Sequence, residues 1–205
     1  MKPAKVVLNT SMITVTEVID STAYTITHYM NTRECYGQVK ECAEKYWTSA
    51  PKKEGIENYQ FGSDAKPWSL GPMLENNLFE GGFSVLSIDD TPWSFGGIRK
   101  YSDEVSIIGS RNFSFYTLKP ITHGLLVPFQ LEMSKKLGYK RAWATINDYN
   151  LYWYNTYHVK KYNKSHTRKR LNKLYANSDE CISKCTNLGK MIIFNTEQTV
   201  LEWIL

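Results

Sequence analysis

The stretch ITHGLLVPFQLEMSKKLGYKRAWATINDYNLYWYNTY, residues 121–157, carries the reading of the fold. It begins with a small turn around Gly124. Leu126, Phe129, Met133 and Leu137 follow at helical spacing and predict an amphipathic helix that stops at Gly138. KRAWATIN, residues 140–147, sets Ala142, Ala144 and Ile146 on one side and Trp143, Thr145 and Asn147 on the other, the period of a strand. Residues 150–162 return to helical spacing. A strand, a helix and another strand in this order imply a parallel crossover, right-handed by the usual rule. The stretch is either a phosphate-binding turn joined to a reaction site or a β-α-β-α packing unit.

Upstream, VVLNTSMITVTEVID (6–20) alternates Ile13 and Val15 against Thr14 and Thr16 and predicts an opening strand. From Ser21 to Trp47 a helix is expected, with Cys35, Val39, Cys42 and Tyr46 on one face. Pro51 and Gly55 end it, and 56–68 read as loop. LGPMLENNLFEGG (70–82) reads as a short helix stopped at Gly81 and Gly82. Three strand-like runs follow, Phe83–Ile88, Trp93–Tyr101 and a long one over Val105–Leu118, with turns at DDTP and YSDE. Downstream, KSHTRKRLNKLYANSDECISKC (164–185) reads as a basic helix and loop. KMIIFNTEQTVLEWIL (190–205) reads as a hairpin turning at NTEQ. The expected class is α+β: a mixed, mainly antiparallel sheet with a β-α-β crossover and flanking helices.

The 205 residues, 42% hydrophobic and 14% aromatic, suit one folded domain. No apolar run reaches the ~20 residues that cross a bilayer. No signal-peptide pattern is read at the N-terminus, so a cytoplasmic location is expected. The four cysteines, Cys35, Cys42, Cys181 and Cys185, lack the tight pairing of zinc ribbons. His28, His158 and His166 show no metal-ligand spacing, and no metal is expected. P-loop, HExxH and Ser-His-Asp patterns are absent. The net charge of +5 is uneven, because no acidic residue falls between Asp148 and Asp179. That gap holds Lys160, Lys161, Lys164, Arg168, Lys169, Arg170 and Lys173, which suit either phosphates, including those of a nucleic acid bound through 160–173, or a solvated helix face.

A strand running through Pro120 and a turn into a helix presents unpaired backbone N–H groups at the positive end of a dipole, a natural diphosphate site. Leu137-Gly138-Tyr139, a strand ending in Asn147, Asn150 three residues on and Tyr157 seven beyond follow at fixed spacing. In these residues the sequence resembles the GCN5-related N-acetyltransferase family, divergent and possible as a phage-type member. The likeness covers 83–162 directly and the rest by element order.

The resemblance implies an acetyl-CoA or other acyl-CoA cofactor and transfer of the acyl group to an amine, whether on a small molecule or a macromolecule. It implies that Tyr157 protonates the departing thiolate. The family loop, Q/R-x-x-G-x-G/A, fits here in two registers. One puts His123 at the basic position and Leu126 and Pro128 at the glycines. The other puts Lys119, Thr122 and Gly124 there. The implied cofactor-binding set is Thr122, His123, Gly124, Leu125, Leu126 and Val127 around the turn, with Asn147 and Asn150 at the strand end. The family's strand Glu is missing, with Asn112 and Ser114 at the comparable positions. His158, Asp148 or a water chain takes its place as base, and Lys161 stands where the family has Gly.

Each of these residues also has a plain structural use. Gly124 can serve an ordinary strand-to-helix turn, Tyr157 can be one packed aromatic among Tyr152, Trp153, Tyr154 and Tyr162, and Asn147 can cap the next helix. The leading expectation is an acyl-CoA-dependent N-acyltransferase with Tyr157 and His158 catalytic. The alternatives are a phage-type enzyme modifying nucleic-acid bases on the same fold, and a non-catalytic binding module that kept the fold. The acceptor and the oligomeric state stay open.

Overall fold

The computed structural model describes residues 5–9, 12–30, 36–37, 78–109, 111–112, 122–146 and 172–205. The described strands are β1 (Lys5–Asn9), β2 (Met12–Ile19), β3 (Thr22–Tyr29), β4 (Phe83–Ile88), β5 (Thr91–Lys100), β6 (Val105–Ile108), β7 (Arg111–Asn112), β8 (Arg141–Ile146), β9 (Thr186–Ile193) and β10 (Thr196–Ile204). A π-helical turn, Thr122–Leu126, leads into helix α1 (Val127–Lys136), and helix α2 covers Asn172–Ser183. Among the described residues, no helix is long and apolar enough to cross a membrane. The chain forms two compact units, one of Met1–Arg99 with Ser110–Leu118, the other of Lys100–Gly109 with Lys119–Leu205.

In the first unit β1, β2, β3, β4 and β5 pair in sequence order, each antiparallel to the next, and β7 pairs with β5. Two of the hairpins turn on two residues that both have positive φ, Asp20 (49°) with Ser21 (65°) and Asp89 (45°) with Asp90 (65°). That is the mirror-image turn whose twist matches paired strands. Asp89 also explains its own place: its carboxylate accepts from the Ala23 N–H at 2.9 Å, and its N–H donates to the Ala23 carbonyl at 2.9 Å.

The helix expected from Ser21 onward does not begin there, because Thr22–Tyr29 is strand β3, paired with β2 and β4. Four buried positions, Thr22, Tyr24, Ile26 and His28, alternate with half-buried neighbours, and Tyr29 is buried at the strand's end. Two of those four are polar, so the alternation is hidden from a count of apolar residues. The mix of Thr, Tyr and Ile favours a pleated backbone over a helix. Farther along the same expected helix only Tyr36 and Gly37 are described, and both are helical.

The core of this unit is aromatic. Phe83 stacks on Phe95 at 5.8 Å and meets Phe79 at 5.2 Å. The Phe79 ring fills the place where a Cβ on Gly97 would stand. Gly82, at φ +93°, is closed in the same way: a Cβ would meet His28 Cε1 at 2.6 Å and the Tyr29 carbonyl at 2.8 Å. His28 itself is fully buried, with Nδ1 2.8 Å from Ser84 Oγ. Burial pushes its pKa down to about 4, against an upward pull from the Gly81 backbone.

The second unit is built on β6, β8, β10 and β9. β6 and β8 are parallel, with Val105 opposite Arg141, Ser106 opposite Ala142 and Ile107 opposite Trp143. α1 lies between them in sequence, which makes the expected crossover. β10 runs antiparallel to β8 over six residue pairs and antiparallel to β9 on its other side. The closing hairpin turns at Phe194 (φ 47°) and Asn195 (φ 63°), slightly ahead of the NTEQ expected.

The long strand expected over 105–118 is corrected: β6 ends at Ile108 and a separate β7 covers Arg111–Asn112, with Gly109 at the break. A glycine inside a strand pattern marks such an interruption. Residues 113–118 lie outside the described set.

α1 ends as expected at Gly138, with φ +91°. Gly138 N–H donates to the Lys135 carbonyl and Tyr139 N–H to the Ser134 carbonyl, the paired bonds of a Schellman cap. Its inward face differs from the expected stripe. Val127, Gln130, Met133 and Ser134 are buried, whereas Phe129 is half-buried and Leu137 is 39% exposed. The helix is turned so that two polar side chains face β6. Ser106 Oγ donates to Ser134 Oγ at 3.0 Å, and Gln130 Nε2 donates to the Gly109 carbonyl at 2.9 Å.

Val105, Trp143, Ile193 and Val200 form an apolar cluster, with Ile107 and Met191 packed against it. Trp203 Nε1 donates to the Cys181 carbonyl at 2.8 Å and ties α2 to β10. The described pairs are antiparallel apart from β6–β8, so the architecture is α+β with a mixed, mainly antiparallel sheet.

Candidate functional site

The two parallel strands of the second unit soon part. β6 matches β8 for three residues, ending at Ile107 opposite Trp143, while β8 continues to Ile146 and stays paired with β10 on its other side. Among the described residues, no strand lies on the β6 side of Ala144, Thr145 and Ile146. Backbone N–H and C=O groups on such an edge call for partners. Gly109 lies two residues beyond the last β6–β8 pair, and its carbonyl is met by the Gln130 side chain.

The helical column on the same crossover starts at Thr122, ahead of α1. Its first turn bonds i to i+5 before α1 tightens to the usual i to i+4. Pro128 explains the wide turn. A proline in a helix has no N–H for the carbonyl four residues back, here Gly124, and its ring crowds that carbonyl. The Gly124 carbonyl accepts instead from Asn177 Nδ2 on α2, at a long 3.5 Å, and α2 packs on the π-turn. Pro128 thus sits well inside the column, and the N–H groups without an intrahelical acceptor belong to the residues just after Thr122. Among the described residues no side chain caps the start of α1, and no acidic residue lies in the first turn of either segment.

Sequence reasoning placed Thr122, His123, Gly124, Leu125, Leu126 and Val127 at this turn, and all six are on the column. Gly124, Leu125, Leu126 and Val127 are buried, Leu126 completely, so a ligand would meet these residues through their backbone. The side chains of Thr122 and His123 lie outside the described residues, as do Asn147, Asn150, Tyr157, His158 and the basic run 160–170. Gln130 and Asn177 were not singled out from sequence. The signal for Gln130 was a polar residue interrupting an apolar stripe one turn after Leu126.

At the opposite, N-terminal ends of β6 and β8 the charged groups are surface pairs. Lys140 binds Glu104 and holds its carboxyl below the usual range. Lys100, 2.6 Å from Asp103, does the same there. Both carboxylates are exposed and contribute little to stability. Among the described residues, no group of three or more His, Cys, Asp or Glu side chains could hold a metal. Cys181 and Cys185 are free thiols. Burial pushes the Cys181 thiol up to about 12, which leaves it unreactive.

No family model and no curated protein matches the sequence. Solved structures do match the fold. An uncharacterised protein from Bacillus halodurans aligns with a TM-score of 0.54 at 9% identity, covering 93% of this chain and 90% of that one. An N-acetyltransferase from Staphylococcus aureus Mu50 aligns with a TM-score of 0.51 at 12% identity, covering 88% of this chain and 97% of that one. Likeness at such identities is likeness of fold and assigns no activity. With the parallel β6–α1–β8 crossover and the antiparallel strands around it, it shows that this chain carries a divergent form of the GCN5-related N-acetyltransferase fold.

Proposed function

We propose that the protein is an acyl-CoA-dependent N-acyltransferase, and that residues 1–205 act as one domain in moving an acetyl or related acyl group to an amine. The observation that carries this reading is the parting of β6 and β8 beside a helix start with no acidic residue in its first turn. An extended arm with amide groups fits the open edge at Ala144–Ile146 as a strand would, and a diphosphate fits the free N–H groups after Thr122. Acyl-CoA has both features, and when bound it supplies an activated thioester.

The chain's own residues then do four things. The first-turn amides, with His123 at the turn, hold the diphosphate. Asn147 and Asn150, just past β8, orient the arm and the incoming amine. His158, directly or through water, takes the proton that the amine loses as its nitrogen bonds to the acyl carbon. Tyr157 gives a proton to the sulfur as the carbon–sulfur bond breaks.

Calorimetry of the full chain with acetyl-CoA tests the cofactor reading. Saturable binding is expected, and absence of binding at millimolar ligand refutes it. Tyr157→Phe should then lower turnover with any accepted amine while leaving acetyl-CoA affinity unchanged. Unchanged turnover removes the acid role from Tyr157.

A further inference from the structure

The buried seam between α1 and β6 contains a side chain that hydrophobic packing does not require. Gln130 is fully buried one turn into α1, and its Nε2 donates to the Gly109 carbonyl at 2.9 Å. One turn later, Ser134 Oγ accepts from Ser106 Oγ at 3.0 Å, and Ser106 Oγ also lies 3.4 Å from the Arg141 carbonyl. The two bonds differ in where they act. Ser106 lies within the β6–β8 ladder, opposite Ala142, whereas Gly109 lies beyond it. Gly109 is exposed and its carbonyl has left the ladder, yet it is met by an amide from the buried seam, and a buried amide left without an acceptor costs about 1–3 kcal/mol. Gln130 is that donor. It comes from the helix layer, so it draws the end of β6 toward α1, out of line with the ladder.

The alternative for a strand end with an unmet carbonyl is to extend the parallel ladder toward Ala144. This would close the edge at Ala144–Ile146. Gly109 leaves room on its own side, since a Cβ there would meet no atom of the described residues within 4 Å. No side chain at that position props the strands apart, and the Gln130 bond performs that task.

We propose that Gln130 is a positioning residue whose hydrogen bond to the Gly109 carbonyl keeps β6 splayed from β8, holding open the strand edge that takes the amide-bearing pantetheine arm of an acyl-CoA. This deepens the acyltransferase reading and rests on it. The ligand is met by backbone, and Gln130 acts through Gly109. Its effect therefore falls on the arm and not on the nucleotide end, which is held at the helix start.

The test compares two probes on the full chain by calorimetry: CoA, and 3′-phospho-ADP, which has the nucleotide and phosphates but no arm. Gln130→Met keeps the volume and removes the donor. It should weaken CoA roughly tenfold, the scale of one lost hydrogen bond, and leave 3′-phospho-ADP unchanged. Gln130→Asn, which withdraws the amide by one methylene, should show the same selective loss and serves if the Met variant does not fold. Ser134→Ala, which removes the neighbouring bond inside the ladder, should leave both affinities within about twofold.

Equal losses for the two probes, or an S134A loss as large as that of Q130M, assign the effect to general loosening and overturn the proposal. Wild-type binding of CoA with no change in either Gln130 variant overturns it while leaving the acyltransferase reading intact. Failure of the wild-type chain to bind either probe overturns that reading and this inference together.

Discussion

Acid should weaken the first unit through His28, and the size of the effect follows from where the ring sits. His28 is fully buried between β2 and β4, bonded to Ser84 Oγ, with Gly82 pressed against it. Burial lowers its pKa from 6.5 to about 4. In the unfolded chain the imidazole binds a proton near pH 6.5, whereas in the folded chain it resists until about pH 4. The folded-state pKa is depressed, so the unfolded state gains protons first as pH falls. Stability is whole above pH 6.5 and is lost progressively down to about 4.

The full difference corresponds to about 3 kcal/mol, at about 1.4 kcal/mol for each tenfold drop in the ring's proton affinity. Roughly 2 kcal/mol of it should be gone by about pH 5. Urea unfolding of the full chain, followed by tryptophan fluorescence from about pH 7.5 to about pH 5, measures the loss. His28→Gln keeps hydrogen-bonding capacity without a titrating ring. It should be less stable than wild type at neutral pH but lose about 2 kcal/mol less over that range. The exposed carboxylates are common to both chains and cancel in the comparison. If the stabilities of the two proteins fall in parallel, the buried ring is not the acid-sensitive group and the reasoning fails.

Two further outcomes follow from backbone geometry. Gly82→Ala places a methyl group against His28 and the Tyr29 carbonyl at φ +93° and should cost about 2–3 kcal/mol of unfolding free energy; a cost below about 0.5 kcal/mol in urea unfolding would falsify the close contact. Asn177→Ala should cost about 1 kcal/mol in the natural sequence and close to nothing in a Pro128→Ala background, where residue 128 regains an N–H for the Gly124 carbonyl. A double-mutant cycle with no coupling between the two positions would show that Asn177 does not replace the proline's missing donor.

Much of the fold could be read from the sequence because its elements are ordinary. β4, β5, α1, β8 and the closing hairpin all follow spacing, turn residues or a glycine stop. What escaped did so where polar groups are buried. β3 alternates in the structure, but Thr22 and His28 occupy two of its buried positions, so its apolar period is broken. The inward face of α1 includes Gln130 and Ser134, which answer hydrogen-bonding needs on β6 that one helix's sequence cannot reveal. The break at Gly109 depends on a partner supplied from 21 residues away.

For the candidate site, a run into a helix near Gly124 was foreseen, although as a plain turn and not as the π-helical segment that Thr122–Leu126 forms. The bond from Asn177 to Gly124 was not, because it joins segments 53 residues apart. Asn147, Asn150, Tyr157 and His158 lie beyond the described residues, and their roles are those that the family resemblance implies.

The two-residue turns set an order of assembly. The hairpins β2–β3, β4–β5 and β9–β10 each close locally, on the scale of about 1–10 μs for such elements. The β6–β8 pair cannot form that way, because Val105 must find Arg141 after the chain has looped out and α1 has come back across. Closing the longer loop costs entropy before any contact repays it, and this slows non-local pairing. The β6–β8 pairing and the crossover that carries it are therefore among the last features to form during folding. A chain stalled before that step would already hold its hairpins, with the apolar faces of β8 and β10 still uncovered. Such a partly folded chain exposes apolar surface and strand edges that favour association with other copies of itself.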